Sequence, residues 1–308
     1  MDYKRLISWA GTLLMLLSLV FIARQLMSYG AEFSGITASI AAGLALVVVL
    51  EAFTIILASF NYQSLILNIS GVKVGTPLAL AVYTISNLYK YIPGGVLYVA
   101  GRNRLAVEIE ELSHAKVALA TVLEGVLFVV TSTALIILLV YDNFVSYLNE
   151  RDLITALPIV LSAVVFAAAA ILYLFRRRIK DLIQSMDELW YLTAIKRLLN
   201  TFVLMALWGA SFAATVAIMG QSLSLSLFTV SMGVYLIAWL AGYLTPGAPS
   251  GLGIREVVLL MFLGGILDEN LLISALVIHR MLSVLGDVAA YAAALIYSLH
   301  LSATPNRL

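Results

Sequence analysis

Tyr243-Leu244-Thr245-Pro246-Gly247-Ala248-Pro249-Ser250-Gly251-Leu252-Gly253-Ile254-Arg255-Glu256 joins two strongly apolar segments through two prolines, three glycines and a terminal charged pair. Proline cannot donate a backbone hydrogen bond and glycine weakens a helix, so this stretch is not expected to be continuous helix. At membrane depth, irregular backbone persists only where it is buried in protein or lines a wet cavity. Arg255 and Glu256, directly after the break, therefore predict a polar site built on a broken helix.

Composition sets the surroundings of that site. The chain has 308 residues, of which 62% are hydrophobic and 11% charged, and its mean hydropathy is +1.03. These values predict an all-α, polytopic integral membrane protein, placed as a multi-pass protein of the cell membrane. A formal net charge of +1 gives no global field that argues for nucleic acid. There is no cysteine, and His114, His279 and His300 are scattered without ligand spacing, so neither a metal nor a cofactor is expected. No nucleophile and base stand together, and the reading is not an enzyme.

A spanning helix needs about 20 apolar residues. Leu6 to Ile22, preceded by Lys4 and Arg5 and followed by no convincing cleavage pattern, reads as a retained first span. Further spans are expected at Ile36 to Phe60 with Glu51 inside it, Val117 to Tyr141 with Glu124, Leu153 to Phe175, Thr201 to Met219, and Leu271 to Ser298 with His279, Arg280 and Asp287. A mixed connection runs from Asn61 to Thr76, and a short acidic loop from Asp142 to Asp152. Leu78 to Tyr91 is too short to cross comfortably and breaks at Pro93-Gly94-Gly95. Leu223 to Leu244 either crosses or is turned back, and Val257 to Ile266 is half-length. Arg176-Arg177-Arg178-Ile179-Lys180 is the most basic run. The apolar face of Ile179, Leu182, Ile183, Met186, Leu189 and Trp190 after it reads as an interfacial helix closed by Lys196 and Arg197, or as an extension of the preceding span. Basic loops stay on the cytoplasmic side, and this run shares a side with Lys4 and Arg5 only if the Pro93 region is a re-entrant hairpin.

The two breaks echo each other. Arg102 follows Pro93 by nine positions, and Arg255 follows Pro246 by nine. If both are hairpins, three crossings separate them and the two units are inverted, a recurrent transporter plan; the alternative is coincidence between two Pro-Gly turns. Within a single membrane domain, 1–308, unit one covers about 36–175, the interfacial helix 176–198 and unit two about 199–300.

Charges inside spans cost about 2.5 to 3.5 kcal/mol each on insertion scales, so they face the bundle interior and pair. Glu124 and Arg280 are expected to pair directly or to line one shared polar cavity, with Asp287, one heptad after Arg280, as a second partner; a purely structural ion pair is the plainer reading. Arg255 is the sharper candidate. Gly251 and Gly253 allow close backbone approach, the following half-helix offers its N-terminus, and a guanidinium binds phosphate bidentately. Arg102 is its counterpart, and Glu256 or nearby loop groups are the alternative partner of Arg255. Glu51 has no obvious partner and is either a protonated carboxyl or a proton-coupling group. His279 reads as a packed histidine, and Tyr89, Tyr91 and Tyr98 as members of an interfacial aromatic belt outside the site.

Asn87-Leu88-Tyr89-Lys90-Tyr91-Ile92-Pro93-Gly94-Gly95, running through Tyr98 to Ala100-Gly101-Arg102, and Pro246 through Glu256 resemble two motifs of the membrane domain of the lysylphosphatidylglycerol synthase family and its stand-alone relatives. The resemblance extends from about Ile36 to the last span, and the second motif is the more specific. It implies a lipid-translocating domain acting on aminoacylated phospholipids, other lipids or polyprenyl-phosphate glycolipids. The chain has no soluble aminoacyl-transferase domain, so making lysyl-lipid is not expected of it, and Ser250 stands where a further glycine is usual. The expectation is a flippase for an anionic lipid, with Arg102, Arg255, Arg280, Gly251 and Gly253 binding the headgroup and Glu124, Glu256, Asp287 and Glu51 in supporting or coupling roles. A membrane lipid is then the partner, with a second copy of the chain or a membrane enzyme as further candidates. The alternative is a non-catalytic subunit of a glycosyltransferase or envelope-assembly complex.

Overall fold

The computed structural model describes residues 37–91, 97–109, 111–150, 190–220, 224–245 and 249–302, and all their regular structure is helical. The spans expected at Leu6–Ile22 and Leu153–Phe175, the basic run 176–180 and most of the amphipathic stretch lie outside these residues.

Helix α1, Ala38–Ser70, starts at Thr37, whose hydroxyl accepts the Ile40 N–H at 3.3 Å. It stops at Gly71, where a φ of 73° turns the backbone left-handed and returns the Gly71 N–H to the Leu67 carbonyl. The connection expected from Asn61 is therefore helix as far as Ser70. Its polar residues are met by side chains of another helix: Asn61 donates to the Thr201 hydroxyl at 3.0 Å. Helix α2, Thr76–Leu88, carries Pro77 in its first turn and runs into a 3-10 turn, Tyr89–Tyr91. Two short helices follow, α3, Leu97–Arg102, and α4, Arg104–Glu108.

Helix α5, His114–Glu150, continues through most of the stretch expected to be an acidic loop. Helix α6, Trp190–Ile218, begins well before the expected Thr201. That correction moves Arg197 from a membrane-surface residue to a buried one, donating to the carbonyls of Asn61 at 3.2 Å and Ser64 at 2.7 Å and to the Ser64 hydroxyl at 2.7 Å. The helix extends because those α1 carbonyls receive the charge. Helix α7, Leu225–Leu244, is capped by the Ser224 hydroxyl. After a 3-10 turn, Pro249–Gly251, come α8, Ile254–Leu263, and α9, Glu269–Ser302.

Among the described residues five helices are long and apolar enough to cross a membrane: α1, α5, α6, α7 and α9. By contrast α2 has 13 residues and α8 has 10, lengths of about 20 and 15 Å against a hydrocarbon core of about 30 Å. Helix α9 packs on α1 and α2, and α7 on α5, α6 and α8. Large apolar side chains such as Leu46 and Phe53 of α1 and Ile137 and Leu138 of α5 face outward, while Glu51, Arg102, Glu124 and Asp287 are buried. An apolar exterior around a polar interior is what a bilayer solvent selects.

Candidate functional site

The polar interior is a cavity of about 460 Å³, lined by residues from α1, α2, α3, α5, α6, α7, α8, α9 and both 3-10 turns. The two turns, which follow α2 and precede α8, touch each other. Gly242 of α7 and Gly251 pack backbone against backbone there, so a Cβ built at Gly251 would stand 2.8 Å from the Gly242 Cα and from Arg255 Nε. Ser250, Gly251 and Gly253 all have positive φ, 51°, 71° and 85°. Ser250 is thus left-handed, the conformation glycine favours.

On one wall, Arg102 is closed off. It forms a buried ion pair with Glu124, and its guanidinium lies over the rings of Tyr83 at 4.3 Å, Tyr62 at 4.6 Å and Tyr98 at 5.3 Å. The Tyr83 hydroxyl donates to the other Glu124 oxygen at 2.8 Å. The expected direct pair between Glu124 and Arg280 does not form; both line the same cavity, and Glu124 is taken by the arginine of the first break. Arg102 is accordingly a neutralised cation in an aromatic cage.

Asp287 is likewise taken, and not by Arg280. It accepts from Lys90 Nζ at 2.7 Å, Asn87 Nδ2 at 2.7 Å and the Tyr91 hydroxyl at 2.5 Å, all within the segment that ends α2. Tyr91 and Tyr98, expected in an interfacial belt, form part of the cavity wall. Lys90 and Asn87 were missed by the sequence reading, although a lysine three residues before Pro93 in an apolar segment was a readable signal.

What remains is Arg255 and Arg280. Both line the cavity, and among the described residues neither meets a carboxylate within ion-pair distance. Arg280 spends one donor on the Ser250 carbonyl at 3.1 Å, leaving Nε and Nη2 without a partner, and Arg255 Nε also has none. Arg255 does lie over the Trp239 ring, its guanidinium carbon 5.9 Å from the centroid. Glu256, expected to hold Arg255, turns back instead and accepts the Gly253 N–H at 2.7 Å, so it caps α8 and occupies the helix terminus that the sequence offered to an anion. Gly251 lines the cavity; Gly253 and Glu256 do not.

Glu51 lines the cavity and has partners that the sequence concealed: its Oε1 is 2.6 Å from the Ser211 hydroxyl and 4.0 Å from His279 Nε2. His279 is packed, as expected, with Phe212 and Tyr235 meeting it edge-on. Among the described residues no three His, Asp or Glu side chains gather in a way that could hold a metal.

No protein-family model matches the chain, and no curated protein matches it significantly.

Proposed function

We propose that the chain moves an anionic lipid, a phospholipid or a polyprenyl-phosphate-linked glycolipid, between membrane leaflets. One observation carries this reading: of the four cations on the cavity wall, Lys90 and Arg102 are neutralised by Asp287 and Glu124, while Arg255 and Arg280 retain uncommitted guanidinium donors. Two planar guanidinium groups in a cavity of low dielectric favour a phosphate bound through paired N–H donors. The cavity lies among helices long enough to span a bilayer, so the anion it fits is one that arrives with the lipid.

The half-length of α2 and α8, each beside a proline-glycine break, supports two re-entrant segments in inverted units meeting at the cavity. The resemblance of both breaks to the lysylphosphatidylglycerol synthase membrane domain points the same way. The test is leaflet exchange of fluorescent anionic and zwitterionic lipids in proteoliposomes. Exchange that prefers anionic lipid and falls at least tenfold in folded Arg255→Gln and Arg280→Gln supports the reading. Exchange equally fast for both lipids, unchanged by those substitutions, overturns it.

A further inference from the structure

The arginine pair leaves Glu51 unexplained, a carboxyl only 5% exposed on the cavity wall. Counting hydrogens assigns the roles around it. Thr215 has one hydroxyl hydrogen, and its oxygen lies 2.8 Å from the Ser211 carbonyl, a helix back-bond that uses that hydrogen. His279 Nδ1, 3.2 Å from the same hydroxyl, is then the N–H donor. The opposite nitrogen, Nε2, is bare, buried and without a hydrogen-bond partner, and it faces Glu51 Oε1 at 4.0 Å. Ser211 also has a single hydrogen but two acceptors in reach, the Trp208 carbonyl at 2.8 Å and Glu51 Oε1 at 2.6 Å. While Glu51 is ionised the single Ser211 hydrogen serves only one of the two acceptors at a time; once Glu51 gains a proton it donates to the Ser211 oxygen and both contacts become hydrogen bonds.

Resting on the anion-binding reading above, we propose that Glu51 and His279 form a proton-binding site that takes up one proton as an anion enters the cavity. The groups facing Glu51 are His279 and Asp287 from α9, Arg255 from α8, Lys90 from the turn after α2, Tyr235 from α7 and Ser211 from α6, and those facing His279 include both Arg255 and Arg280. Asp287 and Lys90 neutralise each other, which leaves Arg255 as the cation that stabilises an ionised Glu51. A bound anion neutralises Arg255 and adds like charge beside the carboxylate, and both effects favour protonation. The proton comes from water through the cavity and adds to a Glu51 oxygen, with no bond broken in the ligand. A singly charged phosphodiester and its proton therefore enter as an electroneutral set, and by linkage the proton strengthens anion binding as much as the anion strengthens proton binding.

The experiment is calorimetric titration of the full chain, in uncharged detergent, with dihexanoyl phosphatidylglycerol in two buffers of different ionisation enthalpy. Its phosphodiester does not titrate near neutrality, so any proton taken up belongs to the protein. Glycerophosphoglycerol, the same headgroup without chains, forms a parallel arm that separates headgroup recognition from lipid recognition, with proton uptake the deciding readout in both. The expected result is uptake approaching one proton per bound ligand, with affinity falling by up to about tenfold per pH unit as pH rises through the site's titration. Glu51→Gln holds the low-pH affinity at every pH and takes up no proton, while His279→Gln keeps the uptake but shifts the pH at which it occurs. Binding by wild type without proton uptake, or equal uptake by Glu51→Gln, overturns the proton site and leaves the anion site standing. Absence of binding by wild type overturns the anion reading and this inference together. If Glu51→Gln does not fold, uptake by wild type and the shift in His279→Gln decide.

Discussion

Arg280 donates through Nη1 to the carbonyl oxygen of Ser250 at 3.1 Å, and Ser250 is the one non-glycine residue with positive φ among the described residues. The bond uses the backbone, so it survives any residue that accepts a left-handed conformation. A Cβ there costs about 1 to 2 kcal/mol, most for a β-branched side chain. Ser250→Gly should therefore unfold at the same temperature as wild type or higher, and Ser250→Val several degrees lower, in thermal unfolding of the purified protein.

The pair Arg102 and Glu124 separates architecture from binding. Glu124→Gln leaves a buried, unpaired guanidinium and should cost about 3 to 5 kcal/mol, whereas Arg102→Met with Glu124→Gln should recover most of that loss. Arg255→Gln removes a cation that has no carboxylate partner among the described residues and should leave stability within about 1 kcal/mol of wild type or raise it. Chemical unfolding of the four proteins checks the ranking.

Asp287 draws its three donors from Asn87, Lys90 and Tyr91. Asp287→Ala should accelerate amide hydrogen exchange across 87–91 by at least tenfold while the interior of α1 keeps its protection. Lys90→Gln should have a smaller effect, because the Lys90 side chain is 29% exposed and two of the three bonds persist.

Gly286 of α9 packs directly against Glu51 of α1, and a Cβ built at Gly286 would collide with the Glu51 Cβ. Gly286→Ala should separate the two helices locally and cost about 1 to 3 kcal/mol. Gly265, where an added Cβ meets nothing, is the control: Gly265→Ala should be neutral in the same assay.

The membrane character, both breaks and the half-length segments were legible because hydropathy, proline and glycine act locally. The candidate arginines were legible because a charge in an apolar segment demands a partner or a purpose. Partner identity was not. Glu124 chose Arg102 over Arg280, Asp287 chose the end of α2, and Glu51 found Ser211 160 positions away. These choices depend on how helices pack, and periodicity along one chain carries no record of which faces meet. Arg197 shows the same limit: beside Lys196 it read as a surface charge, yet α1 supplies three oxygens for it.

Arg280 and Asp287 stand one heptad apart on α9, and each holds one of the broken segments: Arg280 the 249–251 turn, Asp287 the end of α2 and the Tyr89–Tyr91 turn after it. Both turns are thus moored to a single mast. A tilt or slide of α9 loads both moorings at once, so the two touching turns share one mechanical degree of freedom. Cutting either mooring would release its own turn from that shared motion while the other still followed the helix.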